Sequence, residues 1–174
     1  MKNAFKPTAI LLIALSTLLA CKKKTADPIE TIVDDKDLTG CPVGTTCYYQ
    51  YVNKATMLDR QITLTTGQYR VFWSKNIGYG ARSFYFLAPM MGDNFVLNDK
   101  DVAEGRVKYV SDCPSCLSIS LKALTGTVKG IRVTKTSVQG EKWLVESNIV
   151  LAVEGTTTPF DTVHVKQYYF PAVQ

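Results

Sequence analysis

The chain has 174 residues, of which 46% are hydrophobic and 20% are charged. Its 20 lysines and arginines outnumber its 15 acidic residues, which gives a net charge of +5 at pH 7. So small an excess does not indicate a nucleic-acid-binding protein, which carries a strongly basic surface. The length predicts one domain that is large enough to bury its own hydrophobic core.

The N-terminus has the features of an export signal. Lys2 and Lys6 supply positive charge, and residues 9–20 form an apolar run. A run of this length is too short for a comfortable membrane-spanning helix, which needs about 20 residues. The run ends in the motif Leu18-Leu19-Ala20-Cys21. In this motif a small residue precedes a cysteine whose thiol can accept a lipid.

This motif resembles the lipobox of bacterial lipoproteins. The resemblance implies that residues 1–20 are a signal peptide, that a signal peptidase cuts before Cys21, and that Cys21 carries the lipid. Two or three acyl chains anchor a protein stably, because each buried methylene contributes about 0.8 kcal/mol. Lys22 stands where an aspartate retains lipoproteins in the inner membrane of enteric bacteria. The resemblance therefore favours the cell envelope, at the outer membrane of a Gram-negative bacterium.

The next segment is predicted to be a tether. Lys22, Lys23 and Lys24 can lie against anionic lipid headgroups, or can act only as a solubilising spacer. Residues 25–37 contain proline and acidic residues but few aromatic residues and no periodicity, which predicts a flexible linker. We therefore divide the chain into a signal peptide at 1–20, a lipidated tether at 21–37 and a β domain at 38–174. Through its lipid the protein has the membrane as a partner, and nucleic acid is not expected as one.

Four further cysteines, Cys41, Cys47, Cys113 and Cys116, form an even set. In an exported domain such a set predicts disulfides. Of the three possible pairings, the sequence favours Cys41–Cys47 with Cys113–Cys116, because each pair brackets a segment rich in turn residues.

The segment Cys113-Pro114-Ser115-Cys116 also has the CxxC spacing of thiol oxidoreductases. An envelope thiol–disulfide protein that uses Cys113 and Cys116 is therefore an alternative function. Such sites depend on a helix N-terminus to lower the thiol pKa, whereas an alternating strand pattern follows here. A four-thiolate zinc site typically uses two CxxC pairs, and the sequence contains one. We therefore predict neither a metal nor another cofactor.

From Cys47 onward, hydrophobic residues alternate with period two and turn residues recur about every ten positions. This pattern predicts an all-β fold, a single antiparallel β-sandwich of about nine or ten strands, with a barrel as the second choice. The clearest core face lies on the strand at 142–154, in which Ser147 interrupts a row made of Trp143, Val145, Ile149, Leu151 and Val153.

Two local features stand out within this pattern. One helical turn is predicted near 98–104, with Asn98 as its N-cap, Asp101 in its first turn and Gly105 at its end. Val128 is out of phase with the hydrophobic residues that follow it, which predicts a β-bulge near Gly130.

No stretch of the sequence carries a motif typical of catalysis, such as a nucleophile elbow or a phosphate loop. His164 is the only histidine, and it is expected to face solvent on the same strand face as Lys166. We therefore name no catalytic, cofactor-binding or metal-ligating residue. The sequence favours a non-enzymatic binding or structural role.

Aromatic residues are the remaining functional signal, since ten of them lie between Tyr48 and Phe86. Strands this rich in aromatic residues can expose aromatic faces that bind sugars or apolar ligands. They can also use the same residues for core packing and cross-strand pairs. A carrier of a glycan or of a small apolar ligand is therefore a further alternative, and a protein partner also stays open.

Overall fold

The computed structural model describes residues 37–58, 62–112, 119–134 and 141–173. Within these residues the chain forms nine strands and one short helix, which confirms the all-β prediction. No helix in this part of the chain is long and apolar enough to cross a membrane. The elements in chain order are β1 (Thr46–Met57), β2 (Leu64–Thr66), β3 (Tyr69–Ile77), β4 (Ala81–Pro89), β5 (Asn94–Leu97), α1 (Asp99–Ala103), β6 (Val107–Asp112), β7 (Leu121–Thr134), β8 (Lys142–Val153) and β9 (Pro159–Pro171).

The nine described strands belong to one mixed sheet. Its order is β5-β7-β8-β9-β1-β3-β4-β6, and β2 pairs with β1 outside this order. All neighbours are antiparallel except β1 and β9, which run parallel where Gln50 lies opposite Phe170. The prediction of a purely antiparallel arrangement was wrong at this pair. No hairpin joins β1 to β9, so the connection does not impose the antiparallel direction.

The sheet is not closed into a barrel but folds over, so that its two halves pack face to face as in a sandwich. Phe72 on β3 shows this packing. Its ring centroid lies 5.1 Å from that of Phe95 on β5, 5.6 Å from that of Trp143 on β8 and 5.7 Å from that of Tyr169 on β9. Aromatic rings at these separations contribute stability in addition to that from the apolar area they bury. The main hydrophobic core therefore lies between the two halves of the sheet.

The core face that the sequence predicts on β8 is confirmed except at its end, where Val153 is only partly buried. Trp143, Val145, Ile149 and Leu151 are each at most 1% exposed. Ser147 lies in the same row and is also buried, and its hydroxyl donates a hydrogen bond to the backbone carbonyl of Val165 at 3.3 Å. Because a buried hydroxyl costs little once it has a partner, this serine fits into an otherwise apolar row.

The helical turn predicted near 98–104 is also confirmed. The side chain of Asn98 accepts a hydrogen bond from the Lys100 amide at 2.9 Å, and the Asp101 carboxylate accepts one from the Asn98 amide at 2.9 Å. Gly105 follows with a φ of +79°, a conformation that favours glycine. The short helix α1 is thus defined by its own local sequence at both ends.

The bulge predicted near Gly130 was wrong. Residues 125–132 of β7 pair with β8 without interruption. The two irregularities of this pairing lie at either end of that range. Val128 is fully buried, whereas Ile131 is 37% exposed on the opposite face. The hydrophobic pattern changes phase because Ile131 faces outward, and the strand itself stays regular.

A second, smaller hydrophobic cluster lies on the outer side of the sheet. A bulge after Val52 interrupts the pairing of β1 with β3. Beyond it, Ala55 and Met57 turn outward and pack against Val71 and Leu87. Since β2 pairs with this end of β1, the cluster covers one end of the outer surface.

Candidate functional site

The structure joins Cys41 and Cys47 in a disulfide, with their Cα atoms 5.8 Å apart. This is the local pairing that the sequence favours for these two residues. The bond closes a short ring, which stabilises a fold by about 2 kcal/mol at most. Cys113 and Cys116 lie in residues 113–118 and Cys21 lies in residues 1–36, all outside the described part of the chain.

His164 lies on the exposed surface of β9, as its alternation predicts. Its Nε2 is 3.4 Å from Glu146 Oε1 on β8, and both side chains are about half exposed. An ion pair exposed to this degree contributes little to stability. Within residues 37–58, 62–112, 119–134 and 141–173, no three histidine, cysteine or acidic side chains come together in a way that could hold a metal ion.

A charged cluster surrounds the buried Arg70 on β3. Arg70 is only 5% exposed, and its guanidinium lies 4.3 Å from the ring centroid of Trp143. Its Nε donates a hydrogen bond to Asn53 Oδ1 at 2.7 Å, and its Nη2 lies 3.8 Å from Glu141 Oε1. Burial lowers the pKa of Arg70, and the negative charge of Glu141 opposes that shift. The guanidinium nevertheless stays protonated, as arginine does in proteins.

Glu141 is the centre of this cluster. Its Oε1 accepts a hydrogen bond from Trp143 Nε1 at 2.9 Å and one from Arg132 Nη1 at 3.5 Å. Arg132 also pairs with the carboxylate of Asp93. The Tyr51 hydroxyl donates to the Glu141 backbone carbonyl at 2.8 Å, and burial, with the nearby Glu141 charge, raises the pKa of Tyr51 to about 12. These contacts connect β3, β7 and the residue that precedes β8, so the arrangement serves to hold parts of the fold together.

The outer side of β9, β1, β3, β4 and β6 is better suited to contact a ligand. Directly opposed residues of neighbouring strands share a face, and successive residues alternate between faces. Two rows of directly opposed residues cross these strands. The residues that alternate with them along each strand point into the core, so the two rows point outward. The first row is Phe170, Gln50, Trp73, Tyr85 and Lys108, and the second contains Tyr48, Lys75, Ser83 and Val110.

We call the four aromatic side chains of these rows, Tyr48, Trp73, Tyr85 and Phe170, the outer aromatic face. Tyr48 is 45% exposed and Phe170 is 48% exposed, while Trp73 and Tyr85 are partly exposed. Burial raises the pKa of Tyr85, and its hydrogen bond with the Ser83 side chain opposes that shift.

The outer aromatic face borders a hollow of about 320 Å³. Trp73 forms part of its wall, together with Val52, Leu64, Thr65 and Ala172. Ligand sites commonly have volumes of about 300–1,000 Å³. Trp73 therefore belongs both to a flat aromatic surface and to a depression large enough for a small ligand group.

A second hollow, of about 340 Å³, lies beside the disulfide loop. Thr45, Asn76, Arg82 and Asp112 contribute to its lining, as does Tyr79 in the turn between β3 and β4. The Tyr79 side chain is fully exposed. Tyr79 is thus an accessible aromatic residue that lies apart from the outer aromatic face.

Three of the four residues of the outer aromatic face lie in the aromatic-rich stretch that the sequence singles out, and Phe170 does not. Phe170 joins them because β9 pairs in parallel with β1, more than a hundred residues away along the chain. Its only signal in the sequence is that Tyr169 and Phe170 are consecutive aromatic residues on a strand, so that one of them has to face outward. Comparison with protein-family models, with curated proteins and with solved structures finds no match to this chain.

Proposed function

We propose that the chain is a lipid-anchored protein of the cell envelope whose β domain binds a ligand through the outer aromatic face. The motif Leu18-Leu19-Ala20-Cys21 supports the anchor, and Lys22 supports the outer membrane of a Gram-negative bacterium as its place. Residues 21–37 span at most about 60 Å even when fully extended. The domain therefore acts close to the membrane surface.

The exposure of aromatic side chains in the middle of a sheet is the observation that carries the binding role. A sheet face that only meets water usually shows polar side chains, whereas exposed apolar patches mark interaction sites. Gln50 and Lys75 lie among the aromatic residues and add hydrogen-bonding groups. Sugars present both apolar C–H faces and hydroxyls, so a glycan fits this combination better than a purely apolar molecule does.

The anchor is tested by replacing Cys21 with serine. We expect the variant to lose incorporation of labelled palmitate and to leave the washed membrane fraction, because the thiol is the lipid acceptor. Palmitate labelling and immunoblots of membrane and soluble fractions measure both effects. Cys41→Ser removes a different cysteine and should be labelled like the wild type. Palmitate labelling that persists in Cys21→Ser would refute the anchor.

The binding role is tested by replacing Trp73 with alanine. We expect the affinity of the detergent-solubilised, lipidated protein for polysaccharides to fall about fivefold, because a stacked aromatic ring contributes about 1 kcal/mol. Affinity electrophoresis through gels that contain neutral or acidic polysaccharides measures the change. Phe170→Ala, at a half-exposed position, should show the same direction of change, and Tyr79→Ala should bind like the wild type. Unchanged binding in both Trp73→Ala and Phe170→Ala would contradict the proposal.

A further inference from the structure

The two most exposed large hydrophobic side chains in the described part of the chain lie on neighbouring loops. Val43 is 104% exposed and Tyr79 is 108% exposed, so no described residue covers either of them. A Cβ atom at Gly78, next to Tyr79, would lie 3.0 Å from the Thr45 side chain, so the two loops are in contact. We call Val43 and Tyr79 together the apolar tip.

Local interactions hold Val43 in its projecting position. The amide and the hydroxyl of Thr45 both donate hydrogen bonds to the Pro42 carbonyl, at 3.1 Å and 2.8 Å. These bonds close a turn that has Val43 near its apex. The disulfide Cys41–Cys47 encloses the same turn. Because the loop is already ordered, contact between Val43 and a partner costs little further conformational entropy.

The predicted tether joins the domain beside the apolar tip. The Thr39 amide donates a hydrogen bond to the Lys166 carbonyl on β9 at 2.8 Å, and the Thr39 hydroxyl accepts one from the Lys166 amide at 2.9 Å. Val43 follows Thr39 by four positions, so their Cα atoms are at most about 14 Å apart. A domain that hangs from Cys21 is therefore attached at the end that carries the apolar tip.

The strand directions place further exposed hydrophobic side chains at this end of the sheet. Strand β9 runs parallel to β1, and β7 and β9 are both antiparallel to β8, so β1, β7 and β9 all start at the same end. Ile119, just before β7, and Phe160, at the start of β9, are both exposed. Exposed groups of both charge signs, Arg82 and Asp112, line the hollow beside Tyr79. The end as a whole thus combines projecting apolar groups with mixed charges.

We infer that the apolar tip inserts into the lipid layer that holds the Cys21 anchor, so that the domain stands on the membrane with this end down. The inference rests on the lipid anchor of the proposed function, and it adds which end of the domain meets the bilayer. Tyrosine suits the boundary between headgroups and acyl chains, because its ring is apolar and its hydroxyl is polar. The anchor keeps the tip at a high effective concentration beside the lipid, so a small apolar contact suffices.

Two other occupants suit the apolar tip less well. Small ligands bind in concave sites, whereas Val43 and Tyr79 project from loops. A second copy that packed tip to tip about a two-fold axis would place the tethers of both copies at the contact. Two chains that are anchored in one membrane cannot easily face each other in this way. The outer aromatic face lies along the strands, away from the tip, and stays open to its own ligand.

Quenching by brominated lipid tests which end of the domain meets the bilayer. The lipidated protein is reconstituted into phosphatidylcholine vesicles with or without bromine on the acyl chains, and tryptophan fluorescence is measured. In Val43→Trp and Tyr79→Trp, we expect the emission gained over the wild type to be lost in the brominated vesicles and kept in the ordinary ones. Bromine quenches only the indoles that it contacts.

A matched control places the new tryptophan at the opposite end. Met91 is 86% exposed and lies between β4 and β5, whereas Tyr79 lies where β4 begins. The emission that Met91→Trp adds should be the same in both kinds of vesicle. All three positions are exposed, so the variants should give the far-UV circular dichroism spectrum of the wild type.

Each other outcome overturns the inference. Unquenched emission in both tip variants, with palmitate on Cys21 and the protein in the vesicle fraction, would refute the membrane contact and leave the anchor standing. Equal quenching of Met91→Trp and Tyr79→Trp would show that neither end is preferred. Quenching of the wild type through Trp73 would place the outer aromatic face on the membrane instead. Wild-type protein that takes up no palmitate and stays out of the vesicles would refute the anchor and the inference together.

Discussion

Replacing Glu141 with alanine is expected to lower the free energy of unfolding by about 2–3 kcal/mol, because the buried Arg70 guanidinium loses its partner charge and Trp143 Nε1 loses its hydrogen-bond acceptor. Glu141 Oε1 faces the guanidinium groups of Arg70 and Arg132 and accepts the hydrogen bond from Trp143 Nε1. Arg70 is only 5% exposed, and its Nη1 has no hydrogen-bond partner within the described part of the chain. Arg70 itself therefore has little contact with water, whereas the Glu141 side chain is 28% exposed.

Urea denaturation followed by far-UV circular dichroism measures this loss, and Arg70→Met is the informative comparison. Methionine fills much of the volume of the arginine stem and brings no charge, while Glu141 keeps Arg132 and Trp143 as partners. We therefore expect Arg70→Met to destabilise the fold less than Glu141→Ala does. If Glu141→Ala costs less than about 1 kcal/mol, or less than Arg70→Met, the carboxylate does not hold the cluster together.

The charged cluster and the outer aromatic face depend on the same strand. Strand β3 directs Arg70 into the core and Trp73 outward three residues later, as the alternation of a strand requires. The contacts of Arg70 with Asn53, Glu141 and Trp143 link β3 to β1, to the start of β8 and to the core. The position of Trp73 on the outer surface is therefore determined partly by charged groups on the inner one.

Features that depend on neighbours along the chain could be predicted from the sequence. The core face of β8 follows from period-two alternation over twelve residues, and one buried serine does not obscure it. The helix α1 follows from the capping box of Asn98 and Asp101 and from Gly105. The disulfide Cys41–Cys47 follows from a short spacing around turn residues. In each case the interacting residues lie within about a dozen positions of one another.

Features that depend on the pairing of distant strands could not be predicted. Strand β3 is buried on both faces, with Phe72 in the main core and Val71 in the outer cluster, so its alternation does not say which face Trp73 occupies. Phe170 meets Gln50 only because the last strand joins the first in parallel. The burial of Arg70 likewise depends on Glu141, which lies far along the chain. Local hydrophobic patterns carry no information on these partners.

Gly130 is a further position whose role depends on a distant residue, and Gly130→Ala is expected to lower the free energy of unfolding by about 2–3 kcal/mol. A Cβ atom at Gly130 would overlap the ring of Phe95, three of whose carbons lie within 2.8 Å of that position. The ring cannot easily move away, because it packs 5.1 Å from Phe72 and 5.8 Å from Trp143, measured between centroids. Forcing extra volume into such a core typically costs about 1–3 kcal/mol.

The partner of Gly130 can be identified by combining the substitution with Phe95→Leu. Leucine is smaller than the phenylalanine ring, so Gly130→Ala should cost at least about 1 kcal/mol less in the Phe95→Leu background, a coupling that two contacting residues produce. Gly40→Ala is the matched control, because nothing lies within 4 Å of a Cβ atom there, and it should change stability by no more than about 0.5 kcal/mol. Strictly additive costs at Gly130 and Phe95 would show that the ring is not what excludes a side chain. Gly130 would then have to be explained by the backbone of β7 itself.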